Sequence, residues 1–211
     1  MESAAILAGG RATRFGGRDK GALVVGGQTI LERQIAELSL VTNDILIVGV
    51  RASDRSHAVQ ALAGAGHAAA RVVPRTITDA VPGCGPLGGI HAVLTEARGN
   101  AVFVAACDMP YLNAAFISYL LGLTREADAV VPRTHSGYHP LCAAYTRACL
   151  EPIARRLAGR QLKTIDLMMD VRTRIVTPEE LDRFGGERKL LANINTPAEY
   201  AGLAALHDHI V

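Results

Sequence analysis

Residues 3–20 read SAAILAGGRATRFGGRDK, and this stretch decides the fold. Ser3-Ala4-Ala5-Ile6-Leu7 is a short continuous apolar run, the pattern of a strand buried on both faces rather than one with a wet face. It breaks off abruptly into residues 8–20, a loop that holds four glycines and four cations. In open α/β sheets the ligand crevice lies beyond the carboxyl ends of the strands, so the loop stands where a ligand would bind.

Working outward, similar runs recur as DILIVGV at 44–50, ARVV at 70–73, AVFVAA at 101–106 and DAVV at 128–131. Between them, residues 29–40, 54–63, 87–97, 113–123 and 146–157 carry apolar side chains at three- and four-residue intervals. Thr29, Asp54 and Asn113 stand where helix N-caps belong. Strands alternating with helices predict a doubly wound, mostly parallel α/β sheet sandwiched by helices, Rossmann-like, with right-handed crossovers. Beyond residue 160 the pattern predicts a helix over 161–169, a strand over 173–176 and a closing helix over 196–206, with Pro197 in its first turn. No repeat, low-complexity tract or Pro/Ser linker divides the chain, so residues 1–211 are expected to form a single domain.

Composition narrows the function. The 49 % hydrophobic content supplies a core and excludes a disordered chain. A net charge of +2, spread without an arm or stripe, speaks against nucleic acid and suits a small phosphorylated ligand. Four cysteines without CxxC spacing, and no secretory h-region behind the first residues, predict reduced thiols in a cytoplasmic protein. No apolar run approaches the roughly 20 residues of a membrane span.

The loop after the first strand suits a triphosphate. Glycines let backbone N–H groups close on phosphate oxygens, while Arg forks and a Lys neutralise the remaining charge. On that reading Gly9 and Gly10 hug the nucleotide, and Arg14 and Lys20 reach its phosphates; the other reading is a surface loop with solvated cations. It is neither a Walker A nor the Rossmann fingerprint. A literal GxGxxG at 83–88 follows no convincing strand, since residues 76–82 do not read as one. A second site is Cys107-Asp108-Met109-Pro110, where a buried strand ends in an acid. Asp108 reads as a hard-oxygen ligand for Mg²⁺ or as a turn residue leading into Asn113. Asp79 belongs to the nucleotide pocket or to the surface. Asn193 and Asn195 recognise a substrate or cap the closing helix. Arg155, Arg156, Arg160 and Lys163 either receive an acidic acceptor or form a solvated helix face, and His207 and His209 read as exposed.

Taken together, four blocks closely resemble the molybdenum cofactor guanylyltransferase (molybdopterin-guanine dinucleotide synthase) family of the nucleotidyltransferase superfamily. They are Leu7-Ala8-Gly9-Gly10 through Arg14-Phe15-Gly16-Gly17 to Asp19-Lys20, Gly85-Pro86-Leu87-Gly88-Gly89, Cys107-Asp108-Met109-Pro110-Tyr111, and Asn193-Ile194-Asn195-Thr196-Pro197. The match spans residues 4–200. Each block is shared with wider nucleotidyltransferases, but the four in this order are specific. The resemblance implies that Leu7, Ala8, Gly9, Lys20, Asp79 and Asp108 contact GTP, that Asp108 also holds Mg²⁺, and that Asn193 and Asn195 lie toward the pterin. It implies transfer of GMP from GTP to the phosphate of molybdenum-molybdopterin, with Arg14, Lys20 and Asp108 as the catalytic set. Molybdoenzymes or cofactor-insertion proteins would be transient partners. One departure stands out: the family often has an asparagine at the end of the second long strand, where this chain reads Ile47-Val48-Gly49-Val50-Arg51. That departure keeps open a cytidylyl- or sugar-phosphate nucleotidyltransferase, and a non-catalytic nucleotide or cofactor carrier is the alternative from a different class.

Overall fold

Strand β1, Glu2–Leu7, lies near the middle of an eight-stranded sheet. Its neighbours are β4 (Ile45–Val48) and β6 (Ala101–Ala106), both parallel to it. Two short strands, β2 (Val24–Val25) and β3 (Gln28–Thr29), make a separate antiparallel ribbon. The sheet is completed by β5 (Arg75–Ile77), β7 (Ala129–Thr134), β8 (Gly137–Tyr138), β9 (Cys142–Thr146) and β10 (Thr173–Val176). The order is β10-β7-β9-β6-β1-β4-β5, with β8 hairpinned onto β7. β5 and β10 run parallel to their neighbours, while β9 is antiparallel to both β6 and β7. Six strands therefore present their carboxyl ends along one edge. The structure, a computed structural model, describes residues 1–8, 20–49, 72–78, 83–194, 196, 199 and 200.

Continuous apolar strands need cover on both faces. Alternate residues of β1 divide accordingly: Ala4 and Ile6 join one cluster, with Ile35 and Leu38 of α1 (Ile30–Ser39) and Phe116 and Leu120 of α3 (Ala114–Leu123). Ala5 and Leu7 join the other, with Ile90 and Val93 of α2 (Gly85–Glu96) and Ile153 of α4 (Leu150–Ala158). Each fully buried Ile, Leu or Phe contributes roughly 1.5–3 kcal/mol. Short helices α5 (Pro178–Asp182) and α6 (Glu187–Leu190) close the first layer. Of the three predicted caps, Asp54 lies outside the described residues and the other two are in place. Thr29 forms a reciprocal capping box with Glu32, and Asn113 Oδ1 accepts from Phe116 N at 3.1 Å.

At the edge opposite the carboxyl ends a buried carboxylate fastens three segments. Asp44, 1 % exposed, accepts from Ser3 Oγ at 2.6 Å, Arg98 N at 2.9 Å and the Arg75 guanidinium at 2.9 and 3.2 Å. Burial alone would push its carboxyl up, but the bonds from Ser3, Arg98 and Arg75 outweigh that and hold it below the ordinary value. Ser3 Oγ in turn accepts from Gly99 N at 2.8 Å.

Several expectations are corrected. Val72 and Val73 are not in a strand; pairing with β4 begins at Arg75, where the guanidinium can reach Asp44, and Val73 is left 75 % exposed. Thr76 and Ile77, read as unconvincing strand, belong to β5. The helix expected from residue 146 begins instead at Leu150, after a 3₁₀ turn, because Cys142–Thr146 is the strand β9. The helix expected over 161–169 is a 3₁₀ segment, Thr164–Met169, and the strand at 128–131 extends to Thr134. The helix expected at 54–63 lies outside the described residues, as does most of the one at 196–206. No disulfide joins the cysteines, and no described helix is long and apolar enough to cross a membrane.

Candidate active site at the carboxyl edge of the sheet

The strands β1 and β6 end side by side. Ala8 continues the line of β1, donating to Val48 O at 2.8 Å, while Cys107 N donates to Leu7 O at 3.2 Å. Leu7 is 8 % exposed and packs under α2, where Gly89 allows a close approach: a Cβ at Gly89 would stand 3.2 Å from Leu7 Cδ2. Gly83-Cys84-Gly85 makes the turn into α2, with Gly85 in the left-handed region at φ 60° and Pro86 in the first helical turn. The literal GxGxxG therefore straddles a helix start. Gly9, Gly10, Arg14, Asp79 and Asn195 lie outside the described residues. Lys20 opens a 3₁₀ turn, Lys20–Ala22, and its side chain is likewise outside them.

Asp108 lies in the turn just past β6. It borders a cavity of about 300 Å³ together with Met109, Tyr138, His139, Cys142 and Asn193. The turn leads, as read, into Asn113, which caps the next helix by accepting from Phe116 N. Asn193 is exposed at the same cavity, and the next residue anchors it: Ile194 is fully buried and its N–H donates to Asp108 O at 3.0 Å. Thr196 rather than Asn193 does the capping, through Glu199 N to Thr196 Oγ1 at 3.2 Å and Thr196 N to Glu199 Oε2 at 3.1 Å. The structure thus joins the last two sequence blocks through one main-chain hydrogen bond.

Residues that sequence reasoning missed support this arrangement. Gln34 of α1, 1 % exposed, donates from Nε2 to Ala106 O at 2.7 Å and Met109 O at 3.0 Å. Arg33 donates to Pro110 O at 3.2 Å and lies 5.9 Å from the Tyr111 ring. On the far wall His139 shares a 3.0 Å hydrogen bond with Thr134 Oγ1, which also meets Ser136 Oγ at 2.7 Å. Burial lowers the His139 pKa against the opposing pull of Glu187, so the ring is neutral near pH 7. Cys142 lines the cavity as an inert thiol, its pKa pushed up by burial to about 12. The only advance signal for Gln34 is its place among apolar helix neighbours.

Basic residues near α4 are tied down locally. Arg156 pairs with Asp170, and Arg155 with Glu151. Arg155 and its partner lie at the surface, whereas the Arg156 side chain is only 11 % exposed. His207 and His209 are outside the described residues. Among the described residues no cluster of three His, Cys, Asp or Glu side chains forms a metal cage. A single carboxylate at a strand end nonetheless fits Mg²⁺, which takes one or two carboxylates and fills its remaining positions with phosphate and water.

Comparisons with known proteins agree with this layout. The sequence profile of the MobA-like NTP transferase domain matches residues 4–170. The molybdenum cofactor guanylyltransferase of Desulfosudis oleivorans is 33 % identical over 92 % of this chain and 90 % of its own length. Molybdopterin-guanine dinucleotide biosynthesis protein A of Archaeoglobus fulgidus superposes with a TM-score of 0.77 at 24 % identity, covering 99 % of this chain and 100 % of that one. The 4-diphosphocytidyl-2C-methyl-D-erythritol synthase of Anaerococcus prevotii reaches 0.71 at 15 % identity, over 99 % and 96 % of the two chains. The two solved structures share the fold. The profile and the D. oleivorans relative go further: the chain belongs to the MobA-like NTP transferase domain family, among the molybdenum cofactor guanylyltransferases.

Proposed function

We propose that the chain is an enzyme that transfers GMP from GTP to the terminal phosphate of molybdenum-molybdopterin. An oxygen of that phosphate attacks the α-phosphorus of GTP, a phosphoanhydride bond forms, and the bond to the β-phosphate breaks as pyrophosphate leaves with its electron pair. The observation that carries the reading is the junction of Asp108 and Ile194, which brings a strand-end carboxylate and Asn193 to one cavity. One wall is then suited to metal-bound phosphate and the other to an acceptor.

Two anions must meet, so the chief task of the protein is to neutralise and align charge. Leu7, Ala8, Gly9, Gly10, Lys20 and Asp79 are assigned to the nucleotide, and Arg14 and Lys20 to its phosphates. Asp108 is the residue that would hold Mg²⁺, which when bound would draw off phosphate charge. Asn193 and Asn195 take the acceptor, beside Tyr138 and a neutral His139 that offers hydrogen bonds without competing for the anion. No protein nucleophile is assigned: Cys142 stays protonated at its pKa of about 12. Residues 1–211 act as one nucleotidyltransferase domain that hands its product to a molybdoenzyme or an insertion protein.

The test is pyrophosphate release by the purified chain with Mg²⁺, molybdenum-loaded molybdopterin and each of GTP, CTP, ATP and UTP. Release with GTP alone supports the assignment. Release with CTP would keep the chemistry and overturn the guanine preference, an outcome made specific by Val48 and Gly49 at the end of β4, where the family often has asparagine. Nucleotide binding without release would replace the enzyme with a carrier.

A further inference from the structure

The segment that carries Asp108 is a turn rather than a strand or helix, yet its backbone is tied from several directions. Leu7 O takes the N–H of Cys107, and Ile194 N–H binds Asp108 O. Arg33 Nε binds Pro110 O. Two further carbonyls, Ala106 O and Met109 O, are both held by one group, the side-chain amide of Gln34, at 2.7 and 3.0 Å. They lie on either side of Asp108.

Gln34 is an expensive residue to place there. It is 1 % exposed among Ile30, Ile35 and Leu38, and a buried amide is tolerated only when it is bonded. Both N–H groups are used, but Oε1 is buried with no hydrogen-bond partner among the described residues. The opposite amide orientation would set its oxygen against two carbonyl oxygens, so the bonding itself fixes which end faces the turn. A Met or Leu would fill the same space without the orphaned oxygen. What they could not do is span the turn from Ala106 to Met109.

We infer that Gln34 is a positioning residue for the metal carboxylate: by bridging Ala106 O and Met109 O it fixes the direction in which Asp108 presents its oxygens to a divalent cation. The inference rests on the reading of Asp108 as the metal ligand. Mg²⁺ and Mn²⁺ tolerate little angular error in their ligands, and groups that orient a ligand are commonly worth about 10–100-fold in metal affinity. Gln34 itself touches neither metal nor substrate.

The experiment is Mn²⁺ binding by the full chain, read from the free-ion electron paramagnetic resonance signal with a non-hydrolysable GTP analogue present. Gln34→Met, which keeps size and removes both donors, is expected to weaken Mn²⁺ about tenfold. Gln34→His, with one N–H donor, is expected to fall between Gln34→Met and the wild type, and covers the case in which the Met variant does not fold. Leu38→Ala destabilises the same helix without touching the turn and is expected to bind Mn²⁺ as the wild type does. Wild-type affinity in Gln34→Met, or an equal loss in Leu38→Ala, would overturn the positioning role. Wild-type affinity in Asp108→Ala would instead overturn the reading of Asp108 on which it stands.

Discussion

Replacing Asp44 by alanine removes the carboxylate that fastens the amino-terminal edge of the sheet. Three donors lose their acceptor in one step: the Ser3 hydroxyl, the Arg98 N–H and the Arg75 guanidinium. Breaking a buried charged network by removing one partner costs about 3–5 kcal/mol. The Arg75 side chain is 34 % exposed, so its share is screened and the lower half of that range applies. For a chain of this size each kcal/mol lowers the melting temperature by about 2–4 °C, and the expected drop is about 6–16 °C. The pH dependence has a definite sign. The folded-state pKa of Asp44 is lowered, so its contribution is fully present above the ordinary carboxylate value of about 3.9 and is lost as pH falls through the folded-state value. Urea melts at pH 7 and across pH 2–5 should therefore show a wild-type-to-variant gap that is constant at neutral pH and shrinks in acid. A gap below about 1 kcal/mol at pH 7, or one that widens in acid, would refute the account of this edge. Activity per folded molecule should be unchanged, because Asp44 and Asp108 lie at opposite edges.

Three further outcomes are expected. Gly99→Ala should cost about 1–3 kcal/mol in a denaturant melt although it lies in a bend, because its Cβ would stand 2.7 Å from the backbone of Met1 and Glu2. Cys142 and Cys149, both raised by burial to about 12, should resist iodoacetamide at pH 8 in the folded chain and react on unfolding, as mass spectrometry of labelled peptides would read. Thr134→Val removes the hydroxyl that meets His139 and Ser136; it should raise KM for the acceptor several-fold with little change in KM for GTP, measured by steady-state pyrophosphate release.

The elements that could be read in advance share a physical cause. β1 and β6 are local apolar runs ended by Gly or Asp, β10 is a short, mostly β-branched stretch ended by Thr-Pro, and the caps Thr29 and Asn113 act within four residues of their own position. β9, Cys142-Ala-Ala-Tyr-Thr146, is hard to read because it lacks the Val, Ile and Leu that mark the other buried runs, and Thr146 at its end reads as the cap of a following helix. Its strand character comes from β6 and β7, partners distant in sequence. β5 is a short edge strand whose place is set by β4 and by the grip of Asp44 on Arg75, neither of which leaves a local pattern.

The same division runs through the site. Asp108 was visible because an acid at the end of a buried apolar run is out of place unless it has a task. Asn193 was visible as a polar residue ahead of a cap-and-proline sequence, though only the fold brings it to the Asp108 cavity. His139 gave no signal, and Gln34 only that of its apolar helix neighbours. A glutamine within an amphipathic helix looks solvated, and His139 reads as loop until Thr134 and the hairpin turn it to the cavity wall.

The most direct test of the central claim is mass spectrometry of the pterin after incubation with GTP, Mg²⁺ and the purified chain. The account predicts a guanine dinucleotide, one pyrophosphate released for each GMP joined, and no product from Asp108→Ala or Lys20→Ala. Undiminished product from Asp108→Ala, or bound GTP with an unmodified pterin in the wild type, would contradict it.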